Sequence, residues 1–138
     1  MQVEPYLNFE GRCEEAIEFY KKAIGAKVEM IMRNEEVPEP HPDMPPGSGK
    51  KILHSAFLVG DSKINATDGF GKGAPRFEGV TLSLNVADEA EAKRRFNALA
   101  DGGKATMPLA KTFFSPSFGM LVDRFGVSWM VIVPQAMG

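Results

Sequence analysis

The chain is written twice, and this duplication limits the folds open to it more than any other feature. Shifted by 77 residues, Asn8 to Met30 lies on Asn85 to Met107 without a gap. Seven of those 23 positions are identical: Asn8/Asn85, Glu14/Glu91, Phe19/Phe96, Ala23/Ala100, Gly25/Gly102, Lys27/Lys104 and Met30/Met107. Ala, Glu, Gly and Lys are common enough to coincide, but the punctuation coincides too. In both copies a strand-like run leads into a helix, then a glycine, then another strand. A chain of 138 residues is one domain's worth of length. The repeat therefore divides it into two small modules and leaves no room for a nucleotide-binding domain beside a separate substrate domain.

Each copy can be read locally. Val3 to Phe9 alternates apolar and polar residues, the period of a half-buried strand. Gly11 to Ile24 reads as a helix whose face carries Cys13, Ala16, Ile17, Tyr20, Ala23 and Ile24, with Gly25 suited to the left-handed residue just past its end. Lys27 to Met32 is the next strand. In the second copy Val80 to Val86 alternates, Asp88 with Glu91 makes a capping-box-like helix start, and Ala92, Phe96 and Leu99 form the apolar stripe before Gly102-Gly103. The repeat predicts equivalent buried positions for Phe19 and Phe96. Two further strands complete each half: Ile52 to Val59 and Ser62 to Thr67, turning at Gly60-Asp61, then Phe118 to Val122 and Val127 to Val133, turning through Asp123 to Gly126. The unit is strand, helix and three strands. The fold class is α+β: two βαβββ modules in tandem, residues 1–68 and 80–138, joined by a Gly-rich linker, residues 69–79, in a single domain. Five prolines make Asn34 to Gly49 a long loop, read either as a lid or as a tolerated insertion.

Composition excludes several classes of function. Sixteen basic and eighteen acidic residues leave a net charge of -2, with no basic excess for nucleic acid. The lone cysteine, Cys13, lies on an apolar helix stripe and reads as core, so the fold needs no oxidising compartment. No basic segment followed by an apolar run opens the chain, and the longest apolar stretch, Trp129 to Pro134, is too short to cross a bilayer. A cytoplasmic protein without membrane contact is expected. Gly69-Phe70-Gly71-Lys72-Gly73 is formally a Gly-x-Gly-x-Gly after a strand, a form that suggests a nucleotide or methyl-donor loop. However, Ala74-Pro75 and a strand follow it, where such a loop would open into a helix, so no nucleotide or methyl-donor cofactor is expected.

Pro5-Tyr6-Leu7-Asn8-Phe9, Ala16-Ile17-Glu18-Phe19-Tyr20, the His54-Ser55-Ala56 strand and Val122 to Met130, with its Asp-x-Phe-Gly-x-x-Trp-Met segment, carry a family resemblance. The chain resembles the PhnB-like (3-demethylubiquinone 3-methyltransferase-like) branch of the vicinal oxygen chelate superfamily, which includes glyoxalase I, bleomycin-resistance proteins and extradiol dioxygenases. One departure is Phe113-Phe114, where the branch tends to carry Trp after an aromatic. The resemblance implies a glyoxalase/bleomycin-resistance-like fold, with mixed sheets curved around a cleft where the modules meet. It also implies a homodimer, and in the superfamily's enzymes a divalent metal held by His, Glu or Gln.

Strand alternation assigns Val3, Leu7, Phe9, Leu82, Leu84, Val86, Ile64 and Ala66 to the helix-facing sides. Glu4, Tyr6, Asn8, Lys63, Asn65, Thr67, Thr81, Ser83 and Asn85 take the other sides. By analogy Met130 stands where the superfamily's last carboxylate ligand would, and the first-strand ligand position falls near Pro5 or Tyr6. A metal site needs three or four convergent His, Cys, Asp or Glu groups. These strands offer His54 and Glu4, so no metal site is expected. His54 is open to three readings: a buried structural residue, a ligand contact or a general base, the last making it the one catalytic candidate. The expected ligand-binding residues are Tyr6, Asn8, His54, Asn65, Thr67, Ser83, Asn85, Phe114, Trp129 and Met130, with Phe113 adding apolar surface. They describe a cofactor-free pocket for a small molecule. The alternatives are a divalent-metal lyase, isomerase or dioxygenase of the glyoxalase type, and a drug-sequestering resistance protein.

Overall fold

A computed structural model describes residues 1–39, 41–71 and 73–135. The elements run β1 (Tyr6–Asn8), α1 (Cys13–Ile24), β2 (Lys27–Arg33), β3 (Ile52–Val59), β4 (Ser62–Thr67), β5 (Leu82–Asn85), α2 (Glu89–Ala100), β6 (Lys104–Ala110), β7 (Phe118–Val122) and β8 (Ser128–Ile132), with a 3-10 turn at Asn34–Glu36. They form two compact units, Met1–Pro75 and Arg76–Gly138. Each unit holds one helix and one four-stranded mixed sheet, ordered β1-β4-β3-β2 in the first and β5-β8-β7-β6 in the second. In each, the first strand pairs in parallel with the last, and the remaining pairs are antiparallel. The tandem βαβββ arrangement is therefore the architecture of the chain. Among the described residues no helix is long and apolar enough to cross a membrane.

The duplication extends to irregularities. β2 carries a bulge between Val28 and Met30 against Phe57 and Ala56, and β6 carries one between Ala105 and Met107 against Leu121 and Met120. The strands keep the 77-residue offset: Phe9 donates to the Thr67 carbonyl and Val86 to the Ile132 carbonyl. The helices do not. Their first turns close by Ala16 donating to Arg12 and Ala92 donating to Asp88, an offset of 76. The buried positions Ala16, Tyr20 and Ala23 therefore match Ala92, Phe96 and Leu99.

This corrects the expected pairing of Phe19 with Phe96. Tyr20 is the buried counterpart of Phe96, and Phe19 is half-buried, edge-on to Tyr20 at 5.6 Å. The cause is a longer entry to α1, where Glu10 and Gly11 adopt positive φ of 44° and 97°. Asp101-Gly102-Gly103 after α2, against Gly25-Ala26 after α1, restores the register.

Two buried aspartates hold the modules' corners. Arg12, the residue before α1, contributes no side-chain cap. Asp68 replaces it from beyond β4, accepting from Cys13 N at 2.7 Å and from Ile52 N at 2.6 Å. In the second unit Asp123 accepts from Phe125 N, Val127 N and Trp129 Nε1, all within 3.0 Å. Around these, Tyr20 stacks on Phe57 at 5.9 Å and lies 6.2 Å from Phe9. Fully burying a side chain of this size stabilises by roughly 1.5–3 kcal/mol.

Candidate functional site

The helix covers one face of each sheet and leaves the other without a helix. In the first unit the helix side holds Leu7, Phe57, Ile64 and Ala66, all buried as strand alternation predicts. Val3 is a correction: it precedes β1 and is almost fully exposed. The opposite face gathers Tyr6, paired in register with Asn65, and His54, paired with Met32. Tyr6 and His54 stack with ring centroids 5.6 Å apart, and Tyr6 Oη lies 3.4 Å from His54 Nδ1. Asn65 Nδ2 donates to Glu4 Oε1 at 3.1 Å. A hydroxyl, an imidazole and an amide thus share one face of the sheet with Met30 and Met32.

Two of the expected residues in this unit are engaged in holding the backbone. Asn8 Oδ1 accepts from Glu10 N at 2.9 Å, and its Nδ2 donates to Glu10 Oε1 at 2.7 Å. This Asx-turn supports the positive φ of Glu10. Only glycine fits opposite it, since a Cβ on Gly69 would lie 2.5 Å from Asn8 Oδ1. Thr67 Oγ1 donates to the Leu53 carbonyl at 2.7 Å and accepts from Gly69 N. The Pro-rich loop folds back over this corner, stacking His41 on Phe70 at 4.7 Å. Of the Gly-rich segment, Lys72 lies outside the described residues, and among the described residues no helix follows Gly71 before β5.

In the second unit Ser83, Met130, Met120 and Met107 share one row across β5, β8, β7 and β6, on the face away from α2. Ser83 Oγ donates to Asn85 Oδ1 at 3.1 Å. Phe114 packs edge-on to Phe118 at 5.0 Å and to Phe113 at 5.1 Å, and Phe113 is 95% exposed. Trp129 departs from the expected site. It faces the α2 side with Leu121 and Val131, is 2% exposed, and is fixed by Asp123. The last strand is apolar on both sides, so alternation cannot orient it. Here the face is set by the indole N–H, which needs a buried acceptor. Asp68 and Asp123 escape sequence reasoning because most of their partners are backbone amides, with the Trp129 indole a side chain among them. The only signal is an Asp just past a strand.

A divalent metal does not fit these donors. Among the described residues no three His, Cys, Asp or Glu groups converge. Two carboxylates of this unit are engaged: Glu4 by Asn65, and Glu29 by Lys63 at 2.8 Å, which also holds the Lys63 ammonium above its ordinary range. Thioethers and amides bring no negative charge to a hard or borderline ion. Cys13 is no nucleophile either: burial pushes its thiol up to about 12, and its Sγ lies 3.8 Å from Ser55 Oγ.

One helix on a four-stranded mixed sheet, repeated in tandem, defines the glyoxalase/bleomycin-resistance class of folds. Solved glyoxalase/bleomycin-resistance proteins from Frankia sp. EAN1pec and Albidiferax ferrireducens T118 share this fold, with TM-scores of 0.66 and 0.63 at 13% and 14% identity. Within that class the chain belongs to the 3-demethylubiquinone-9 3-methyltransferase family, whose model matches residues 1–132. It is 34% identical to Protein YjdN of Escherichia coli (strain K12), over 96% of this chain and 95% of that protein. The structure of protein PA1353 from Pseudomonas aeruginosa matches with a TM-score of 0.86 at 41% identity, covering 99% of both chains. A putative 3-demethylubiquinone-9 3-methyltransferase, PhnB protein, from Bacillus cereus matches with a TM-score of 0.80 at 27% identity, over 96% of this chain and 99% of that one.

Proposed function

We propose that this protein binds a neutral or weakly polar small molecule on its helix-free sheet faces, without a divalent metal, nucleotide or methyl-donor cofactor. The observation that carries the reading is the convergence of Tyr6, His54 and Asn65 on one face of the first sheet. They supply donors and acceptors beside an apolar methionine surface, the composition of small-molecule sites. His54 is the residue able to exchange a proton there, so any catalysis would centre on it. Phe114, Ser83, Asn85 and Met130 offer a second, more apolar surface. The family name speaks of methyl transfer, but among the described residues the Gly-rich segment leads to β5 and not to the helix on which such a loop would seat a cofactor. The net charge of -2 offers no basic excess for nucleic acid and favours a small-molecule partner.

A panel of small phenols, amides and hydroxylated aromatics, scanned by thermal shift, tests this reading. A ligand of the native state raises the melting temperature by mass action. Compounds that stabilise the wild type should lose that effect in His54→Ala and Asn65→Ala. Stabilisation that persists in both variants, or that requires added Zn, Ni or Mn, contradicts the proposal.

We further infer a homodimer. Val28 and Met32 on β2 remain at least 37% exposed, and β2 is a sheet edge. Burial against a second copy about a two-fold axis is the usual remedy for such surface.

A further inference from the structure

We propose that Met107, Met120 and Met130 form a binding site for a soft monovalent d10 cation, Cu(I) in a cell. The three residues are consecutive partners across β6, β7 and β8. Directly opposed residues in a sheet project to the same face, and neighbouring strands lie about 4.8 Å apart. The bulge at Thr106 is what brings Met107 opposite Met120. Without it, Thr106 would follow Ala105 in that position. Methionine is not favoured in strands over β-branched residues, so three in one cross-strand row is a pattern that simple sheet formation does not call for.

The chemistry of the row selects the ion. Each side chain has three rotatable bonds ending in a polarisable sulfur. The central Met120 thioether can therefore meet those of its two neighbours at one point. Thioethers are soft, neutral ligands that favour Cu(I) over Zn, Mn or Mg. The flanking positions on the same face are Ala110, Phe118 and Ile132 on one side and Lys104, Val122 and Ser128 on the other. No carboxylate stands among them to draw a hard ion. Met107 is 46% exposed, and Met120 and Met130 are partly exposed, so the row is open to an entering ion. This inference shares Met130 with the second apolar surface named above, but it needs neither His54 nor Asn65, whose variants test the small-molecule reading.

The test uses the Cys13→Ala variant, so that the buried thiol does not compete. Its eight methionine methyls carry a 13C label, and Ag(I) in chloride-free buffer serves as the redox-inert probe. Three methyl signals should shift together and saturate near one equivalent, and those three should be the ones missing from Met107→Leu, Met120→Leu and Met130→Leu. Leucine keeps the volume and removes the sulfur. Competition with a Cu(I)-selective dye under ascorbate should show at least tenfold weaker binding in Met120→Leu. Met107→Leu, at an exposed edge position, repeats the comparison should the central variant unfold. No methyl shift, or shifts confined to other methionines, overturns the proposal. So does Cu(I) affinity that is unchanged in the leucine variants.

Discussion

Asp68 shows how much one side chain can carry in a module this small. Its two oxygens take backbone N–H groups from the start of α1 and the start of β3, both buried. Asp68→Ala leaves both donors unpaired in a dry corner and should cost about 2–4 kcal/mol in urea unfolding. Asp68→Asn, which keeps one acceptor, should cost less. A loss below about 1 kcal/mol would mean water replaces the carboxylate. Cys13 gives a pH prediction. Its folded value of about 12 stands above the ordinary 9.0, chiefly through burial, so the unfolded chain loses that proton first. Stability is untouched below pH 9 and falls as the pH rises from 9 towards 12. Reaction with a thiol reagent at pH 8 should follow the unfolding rate, and rapid labelling of the native protein would contradict the buried placement.

At the scale of elements, the helices rest on single aromatic anchors. Tyr20→Ala and Phe96→Ala should each cost about 3–5 kcal/mol, and Phe19→Ala distinctly less because it is half-buried. Equal costs for Phe19→Ala and Tyr20→Ala would restore the gapless pairing of the two copies. Gly119→Ala should cost about 1–3 kcal/mol, because the added Cβ would sit 2.8 Å from Phe96 Cε2 and 3.1 Å from Leu109 Cα. Both helices, the β3–β4 hairpin and β7 are legible in the sequence because periodicity and turn residues mark them directly. The one-residue slip of the helices is not, because an insertion before α1 and another after α2 cancel in a gapless alignment. On the first sheet, the shared helix-free face of Tyr6 and Asn65 follows from strand alternation, whereas the place of His54 on that face does not. The face of Trp129 and the bulges that align the methionines depend on pairing register, which local pattern does not reveal.

For the whole molecule, two expectations separate this account from its rivals. Sedimentation at micromolar concentration should give twice the 15.1 kDa chain mass, and a single 15.1 kDa species would leave the exposed residues of β2 without a partner. The central claim is that the ligand face works without a divalent metal, and elemental analysis of wild type and His54→Ala tests it most directly. Protein purified without added metal should hold far less than one equivalent of Zn, Ni, Mn or Fe in both. A stoichiometric divalent metal in the wild type that disappears in His54→Ala would contradict the account and restore a glyoxalase-type metal site.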